Sequence, residues 1–450
     1  MTALQTLWGK NQASVDALVA AFTVGDDREV DARLATQDVL GSLAHLQAIT
    51  AAKLISEADA QALTDALRAL YAEAVEGTLR PGPSDEDIHS AVERLLTERL
   101  GDAGKRIHVA RSRNDQVATD VALWMREQAL DAAHEALACA DAALGFARAH
   151  ASTPLVGMTH LQPAMPSSFG LWAAGYAGLW LDDAALLKAA FEAADACPLG
   201  SAAGYGVPKD KAPIDRAVAA RALAFSRVVE PVTAVQGGRG KPEATLLFAM
   251  TQASQTCARF AWDVVLYVHP DWGFLTLPEA FVTGSSIMPQ KRNPDVMELV
   301  RARAHTVRAA LVEVLGLAGG LPSGYHRDFQ LLKSPLMRGV DTARAVLRVV
   351  AHVLPGVVVN AERAAAACRN EIHATDRALG LVAGGAPFRD AYRQVSAEFS
   401  AGHQFPPSAP PDVLPSLDAL SARAASLQSW LDDQRQRLTL AAFALTQHPG

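Results

Sequence analysis

Residues 284–295 read Gly284-Ser285-Ser286-Ile287-Met288-Pro289-Gln290-Lys291-Arg292-Asn293-Pro294-Asp295 and concentrate the most chemistry in the chain. The Gly-Ser-Ser start is flexible and rich in hydroxyls, and Lys291 and Arg292 follow with two cations. Asn293 before Pro294 reads as a helix N-cap with proline in the first helical position. A helix starting there points its positive dipole end and free N–H groups back at the loop. Such a loop can hold a carboxylate, stabilise a developing enolate and draw a neighbouring serine hydroxyl toward alkoxide. The same residues equally describe an exposed loop ahead of a well-capped helix.

Other candidates carry their own ordinary readings. A lone histidine such as His160 is more often a satisfied structural group than an acid. Arg111 reads equally as a ligand or as part of a solvated helix start. Glu298 can pair with Arg301 or Arg303 on its own helix for only a few tenths of a kcal/mol, or face inward, more than one turn past Asn293. Gly238-Arg239-Gly240-Lys241 is not a phosphate loop, because Val235 takes the place of its first glycine and Pro242 that of the Ser/Thr that would meet Mg²⁺. There is no HExxH or comparable pattern, so no metal and no cofactor are expected.

Long helices must position these groups. Residues 114–152 hold no proline and one glycine, Gly145. Within them Leu123, Leu130, Leu137 and Leu144 recur every seven residues, with Ala133, Ala140 and Ala147 each three positions after one of them. A leucine seam beside a small-residue seam suits close helix packing, and such a helix would be roughly 55–60 Å long. A bundle shared between subunits accounts for that length. Four further helices are expected over 167–195, 243–269, 294–318 and 328–354, the last kinked near its start at Pro335. Glycine- and proline-rich connections separate them and are the natural seats of chemistry. The expected fold is all-α: a central five-helix bundle (109–355) between smaller helical domains at 1–108 and 356–450.

The composition, 50% hydrophobic and 20% charged with net charge −7, excludes a disordered chain. A pI near 6.0 argues against general nucleic-acid binding. No uninterrupted apolar run is long enough to span a membrane, and residues 1–10 lack a charged start before an apolar run, so a cytoplasmic protein is expected. Cys139, Cys197, Cys257 and Cys368 are isolated in sequence and expected as buried reduced thiols.

Taken together, these segments resemble a known family. Residues 284–295 are similar to the signature of the fumarase/aspartase superfamily, whose members eliminate fumarate from succinyl compounds. Gly157-Met158-Thr159-His160-Leu161-Gln162 resembles a second shared motif. Arg111-Ser112-Arg113-Asn114-Asp115-Gln116 resembles the motif that sets argininosuccinate lyases apart. Asp85-Glu86-Asp87-Ile88-His89, Leu321-Pro322-Ser323-Gly324-Tyr325, Ala374-Thr375-Asp376 and Pro387-Phe388-Arg389 also fit, so the resemblance runs from about Trp8 to Tyr392. It implies β-elimination of argininosuccinate to fumarate and arginine, with Ser285 as the base and a carbanion intermediate. Lys291 would stabilise that carbanion, His160 would supply or position the acid, and Glu298 would hydrogen-bond the imidazole. Asn293, Thr159, Arg113 and Asn114 would bind the substrate. Tyr325, Gln330 and Lys333 would complete the pocket, Asp31 would take the amino group, and His89 would support from behind. The resemblance further implies a homotetramer whose active sites are shared between subunits.

Three segments depart from the pattern. Leu7-Trp8-Gly9-Lys10-Asn11-Gln12 lacks an arginine and a phenylalanine usual there. Val235-Gln236-Gly237-Gly238-Arg239-Gly240-Lys241-Pro242-Glu243 replaces a segment resembling DATSxRDF, and Asp27 stands where a serine is common. These changes alter the expected pocket rim, and two alternatives stand beside the main reading. One is a sister lyase acting on adenylosuccinate, malate or aspartate. The other is a non-catalytic structural protein on the same fold, as lens δ-crystallins are.

Overall fold

The computed structural model describes residues 16–447, so the 7–12 segment lies outside it. Helices α1 (Ala17–Val24), α2 (Asp27–Asp31), α3 (Ala35–Ala51), α4 (Glu57–Val75), α5 (Ile88–Leu100) and α6 (Asp102–Lys105) precede the long α7 (Arg113–Ala149). An antiparallel hairpin, β1 (Pro154–Thr159) and β2 (Gln162–Ser168), leads into α8 (Phe169–Ala194). Strand β3 (Ala196–Cys197), helix α9 (Arg216–Ala222), strand β4 (Arg227–Val228) and helix α10 (Ala234–Gly237) lead to α11 (Lys241–Tyr267). After β5 (Leu275–Thr276) come α12 (Asp295–Ala318) and α13 (Lys333–Val353). Strand β6 (Val358–Val359), which pairs with β5, is followed by α14 (Ala361–Ala366), α15 (Ala374–Ala383), α16 (Phe388–Ser400) and α17 (Leu414–Thr446).

The architecture is all-α around α7, α8, α11, α12 and α13, which hold 37, 26, 27, 24 and 21 residues and form one bundle core. Ser112 caps α7 by accepting from Asn114 N, and Asp115 reaches back to Ser112 N, a reciprocal capping box. Along the same helix Leu130, Leu137, Leu144, Ala133, Ala140 and Ala147 are each no more than 3% exposed. Two glycines permit close approaches to the bundle helices α8 and α13. A Cβ on Gly170 would lie 2.6 Å from Ala151 Cα, and one on Gly339 would lie 2.5 Å from Leu247 Cδ2. A second apolar cluster joins α3, α4 and α5, and a small third one gathers Ala378, Val395 and Phe405. Helix α17 returns along the bundle, burying Leu417, Ala424 and Leu431 there and Leu445 against the second cluster.

Four local expectations need correction. Residues 154–168 form a hairpin rather than a plain connection; Pro163 and Pro166 masked its strand pattern, and Ser168, not Ser167, caps α8. Asn293 is not an N-cap. Its backbone pairs with Thr283 in both directions (2.8 and 3.1 Å), which holds it extended and leaves Pro294 at the cap position. The last bundle helix starts at Lys333 after a 3₁₀ segment at Arg327–Leu332. Pro335 therefore falls in the first turn, where its missing N–H costs nothing and no kink is needed. Cys368 is half-buried, unlike the three other thiols, and all four cysteines are free. Among the described residues no helix is long and apolar enough to cross a membrane.

The fully buried Asp115 fastens the start of α7 to the 200–202 loop, accepting from Ser112 N (3.0 Å), Gly200 N (2.9 Å) and Ala202 N (2.7 Å). Replacing it by alanine strands three partly buried donors and is expected to cost about 3 kcal/mol, measured as a fall in thermal unfolding temperature. Asp115→Asn, which keeps one acceptor oxygen, should fall less; equal falls would show that the carboxylate is not the fastening.

Candidate active site

One cavity of about 160 Å³ gathers residues from five parts of the chain. Helix α2 brings Asp27 and Asp31, and the start of α5 brings Glu86, Asp87 and His89. The N-terminus of α7 brings Arg113 and Asn114, and the α10–α11 junction brings Arg239. The 325–333 segment supplies Tyr325, Arg327, Gln330 and Lys333. Six residues expected to bind substrate are thus together: Asp31, Arg113, Asn114, Tyr325, Gln330 and Lys333. The sequence reading did not assign Arg239, Arg327, Glu86 or Asp87. The two acids lie in a quoted motif, Arg239 lies in a departing segment, and Arg327 carried no signal at all.

The lining is ionic, and its charges are matched. Lys333, only 3% exposed, is ion-paired with Asp31 and with Asp27 (2.6 Å). Burial pushes the Lys333 ammonium down, but the two carboxylates outweigh it and raise its pKa. Burial also pushes Asp27 up to about 6, against the pull of Lys333. Arg113 bridges Glu86 (3.0 Å) and Asp87, and Arg327 takes the other Glu86 oxygen (2.6 Å). Burial raises Glu86, yet these two arginines bring it below its ordinary value. Gln330 Nε2 donates to Thr23 O (2.9 Å), which ties the 325–333 segment to α1. A cavity lined by interleaved carboxylates and guanidinium and ammonium groups suits a zwitterion, such as the amino-acid end of a substrate.

The remaining expected residues lie elsewhere. Thr159 and His160 are exposed at the hairpin tip, where His160 (φ 55°) and Leu161 (φ 57°) both take left-handed backbone. That conformation costs a non-glycine residue roughly 1–2 kcal/mol, and the flanking ladder holds it. His160 borders a separate depression with Leu171, Trp172 and Asp263.

Ser285, Lys291 and Asn293 sit on the 283–293 loop, closed at its base by the Thr283–Asn293 pairing. Ser285 Oγ accepts from Met288 N (3.1 Å) and Ile287 N (3.3 Å). Two amides aimed at the oxygen favour its negative form. Lys291 is exposed, and Asn293 Nδ2 is engaged by Gly284 O (3.2 Å). Glu298 is exposed on α12 and makes no hydrogen bond to His160 among the described residues of one chain. Nor does it pair with Arg301, whose guanidinium lies 3.7 Å from the Trp262 ring centroid.

A lyase family model matches residues 9–309. An argininosuccinate lyase of Sorangium cellulosum is 44% identical over 96% of this chain and 98% of its own length. One of Thermotoga neapolitana is 38% identical over 88% of this chain and 98% of its own. The crystal structure of EDDS lyase in complex with formate has the same fold, with a TM-score of 0.80 at 20% identity over 96% of this chain and 95% of that one. With the family model spanning more than half of its length and relatives matched almost from end to end, the chain belongs to the argininosuccinate lyase family.

Proposed function

We propose that this protein splits argininosuccinate into fumarate and arginine by reversible β-elimination, as a cytoplasmic enzyme of arginine biosynthesis. The observation that carries this reading is the ionic cavity that unites Asp31, Arg113, Asn114, Tyr325, Gln330 and Lys333. Its paired charges suit the arginine half of the substrate. Ser285 is the base that takes the Cβ proton, its Oγ already facing two amides. Lys291 stabilises the carbanion, with Asn293 and Thr159 on the succinyl end. His160, supported by Glu298, delivers a proton to the departing nitrogen. Base, acid and cationic donors suffice for this elimination.

These groups form one site only if copies of the chain assemble, and we propose a homotetramer built on the bundle helices. Its support is the set of apolar side chains left on their outer faces: Phe248 (46% exposed) and Trp262 (52%) on α11, and Leu299 (56%), Val312 (64%) and Leu315 (55%) on α12. Monomers rarely leave such faces in water. The exposed hairpin tip of one copy and the 283–293 loop of a second then meet the cavity of a third.

The first test follows fumarate absorbance with argininosuccinate, adenylosuccinate, malate and aspartate in parallel. Release from argininosuccinate alone is expected; turnover of another compound instead would make Asp27 and the 235–243 segment determinants of a sister activity. Ser285→Ala should lower turnover by about 10²–10⁴-fold with folding and assembly intact, and survival of full activity would remove Ser285 as the base. Shared sites make a further claim. Inactive Ser285→Ala and His160→Asn subunits, unfolded and reassembled together, should regain about a quarter of wild-type activity if random mixing joins intact groups from different copies. No recovery from correctly mixed tetramers would place both groups in one subunit.

A further inference from the structure

His89 is 5% exposed and borders the cavity, and beyond general support the proposed reaction gives it no defined contact. Its Nδ1 is 2.5 Å from Asp38 Oδ2, itself held by Gln116 Nε2 at 2.8 Å. Asp120, fully buried, approaches the same nitrogen at 3.5 Å. That leaves Nε2, which is buried and has no hydrogen-bond partner among the described residues. Asp31 Oδ2 is likewise buried and unpartnered. The ligand atoms of Asp31, Asp87 and His89 lie within 4.8 Å of one another. Arg113 and Lys333 already neutralise the two carboxylates, so this corner calls for a hydrogen-bond donor more than for a metal ion.

We propose that His89 is a positioning residue: anchored through Nδ1 by Asp38, it presents a protonated Nε2 to Asp31 and orients that carboxylate for the amino group of the substrate. The inference rests on the proposed lyase reading for the identity of that amino group. The charge environment agrees. Burial opposes an imidazolium, but Asp38, Asp120 and Asp31 outweigh it and raise His89 to about 9. The groups facing it are Asp27 and Asp31 on α2, Asp38 on α3, Asp87 at the start of α5 and Asp120 on α7. Lys333 on α13, with Arg111 ahead of α7, supplies the opposing cations, while burial and the Arg111 charge push His108 down to about 4 and leave it neutral. Burial and the Asp38 charge push Asp120 well above its ordinary range, so Asp38 is the main anionic partner. A histidine with a raised pKa keeps its charge through neutral pH and loses it as the pH climbs through about 9.

The experiment compares wild-type enzyme with Asp38→Asn and His89→Gln, measuring kcat and KM for argininosuccinate across pH. In wild type KM should be flat to about pH 9 and rise above it, because deprotonation of His89 removes the donor. Asp38→Asn should move that rise toward neutrality while leaving kcat nearly unchanged. His89→Gln should raise KM by about tenfold below pH 9, the loss of the charged donor facing Asp31, and the gap to wild type should close above it. A KM that is unchanged, or raised equally at all pH values in Asp38→Asn, would overturn the proposal. Should the variants fail to assemble, wild-type protein with ¹³C-labelled histidine decides: a His89 ring neutral at pH 7 overturns the proposal, and one protonated beyond pH 8 upholds it. This readout needs no turnover, so an enzyme inactive on argininosuccinate would defeat the functional reading while the charge state of His89 is still measured.

Discussion

Close contact along α7 is the constraint on which the rest of the structure depends. A helix of 37 residues has no stability of its own to match its length; tertiary packing must supply it. Here Ala133, Ala140 and Ala147 present almost no side chain, and Leu130, Leu137 and Leu144 fill the gaps beside them. Gly170 and Gly339 extend the same economy of volume to α8 and α13, each sitting where a methyl group would collide. Once these helices are set, the N-terminus of α7 has one position. Arg113 and Asn114 are carried with it, fastened by Ser112 and Asp115.

Charge governs the cavity that forms there. Ions seldom leave water unless each finds a counterion, and every acid among Asp27, Asp31, Glu86 and Asp87 is matched by Lys333, Arg113 or Arg327. Pairing of this kind fixes side chains in place before any ligand arrives, which reduces what binding must spend on ordering. The few atoms left over are therefore informative. Nε2 of His89 and Oδ2 of Asp31 are without partners among the described residues, as are Asp38 Oδ1 and both Asp120 oxygens. Arg239, also in the lining, keeps one nitrogen without a hydrogen-bond partner among the described residues, with its Nε held by Glu243.

The groups proposed for proton transfer obey a different rule. Ser285, Lys291 and His160 sit on a loop and a hairpin tip that project into solvent, away from the cavity. Both elements are nonetheless shaped rather than slack. The loop is pinched by Thr283 and Asn293, and the tip is a tight turn with two left-handed residues. Projecting elements of defined shape beside outward apolar helix faces are what an assembly uses to carry groups from one copy to another.

Much of this was legible from residue order, because local periodicity and short motifs do not need tertiary contacts to be read. Five long helices followed from the spacing of Leu, Ala, Gly and Pro, with ends correct to within a few residues apart from the start of α13, where a 3₁₀ turn intervenes before Lys333. The small hairpin escaped notice because prolines broke its alternation. Asn293 beside Pro294 imitated a cap, and only the distant partner Thr283 shows that its backbone is extended. Motif resemblance named six residues of the cavity but could not say that Asp31, Arg113 and Lys333 share a space while Ser285 and His160 do not. That division arises from contacts between residues as far apart as Asp31 and Lys333, which no local pattern encodes. By itself the sequence determined the helices, the family and the chemistry available; folding alone decided which charges face one another, because electrostatic pairing depends on distance in space and not on order along the chain.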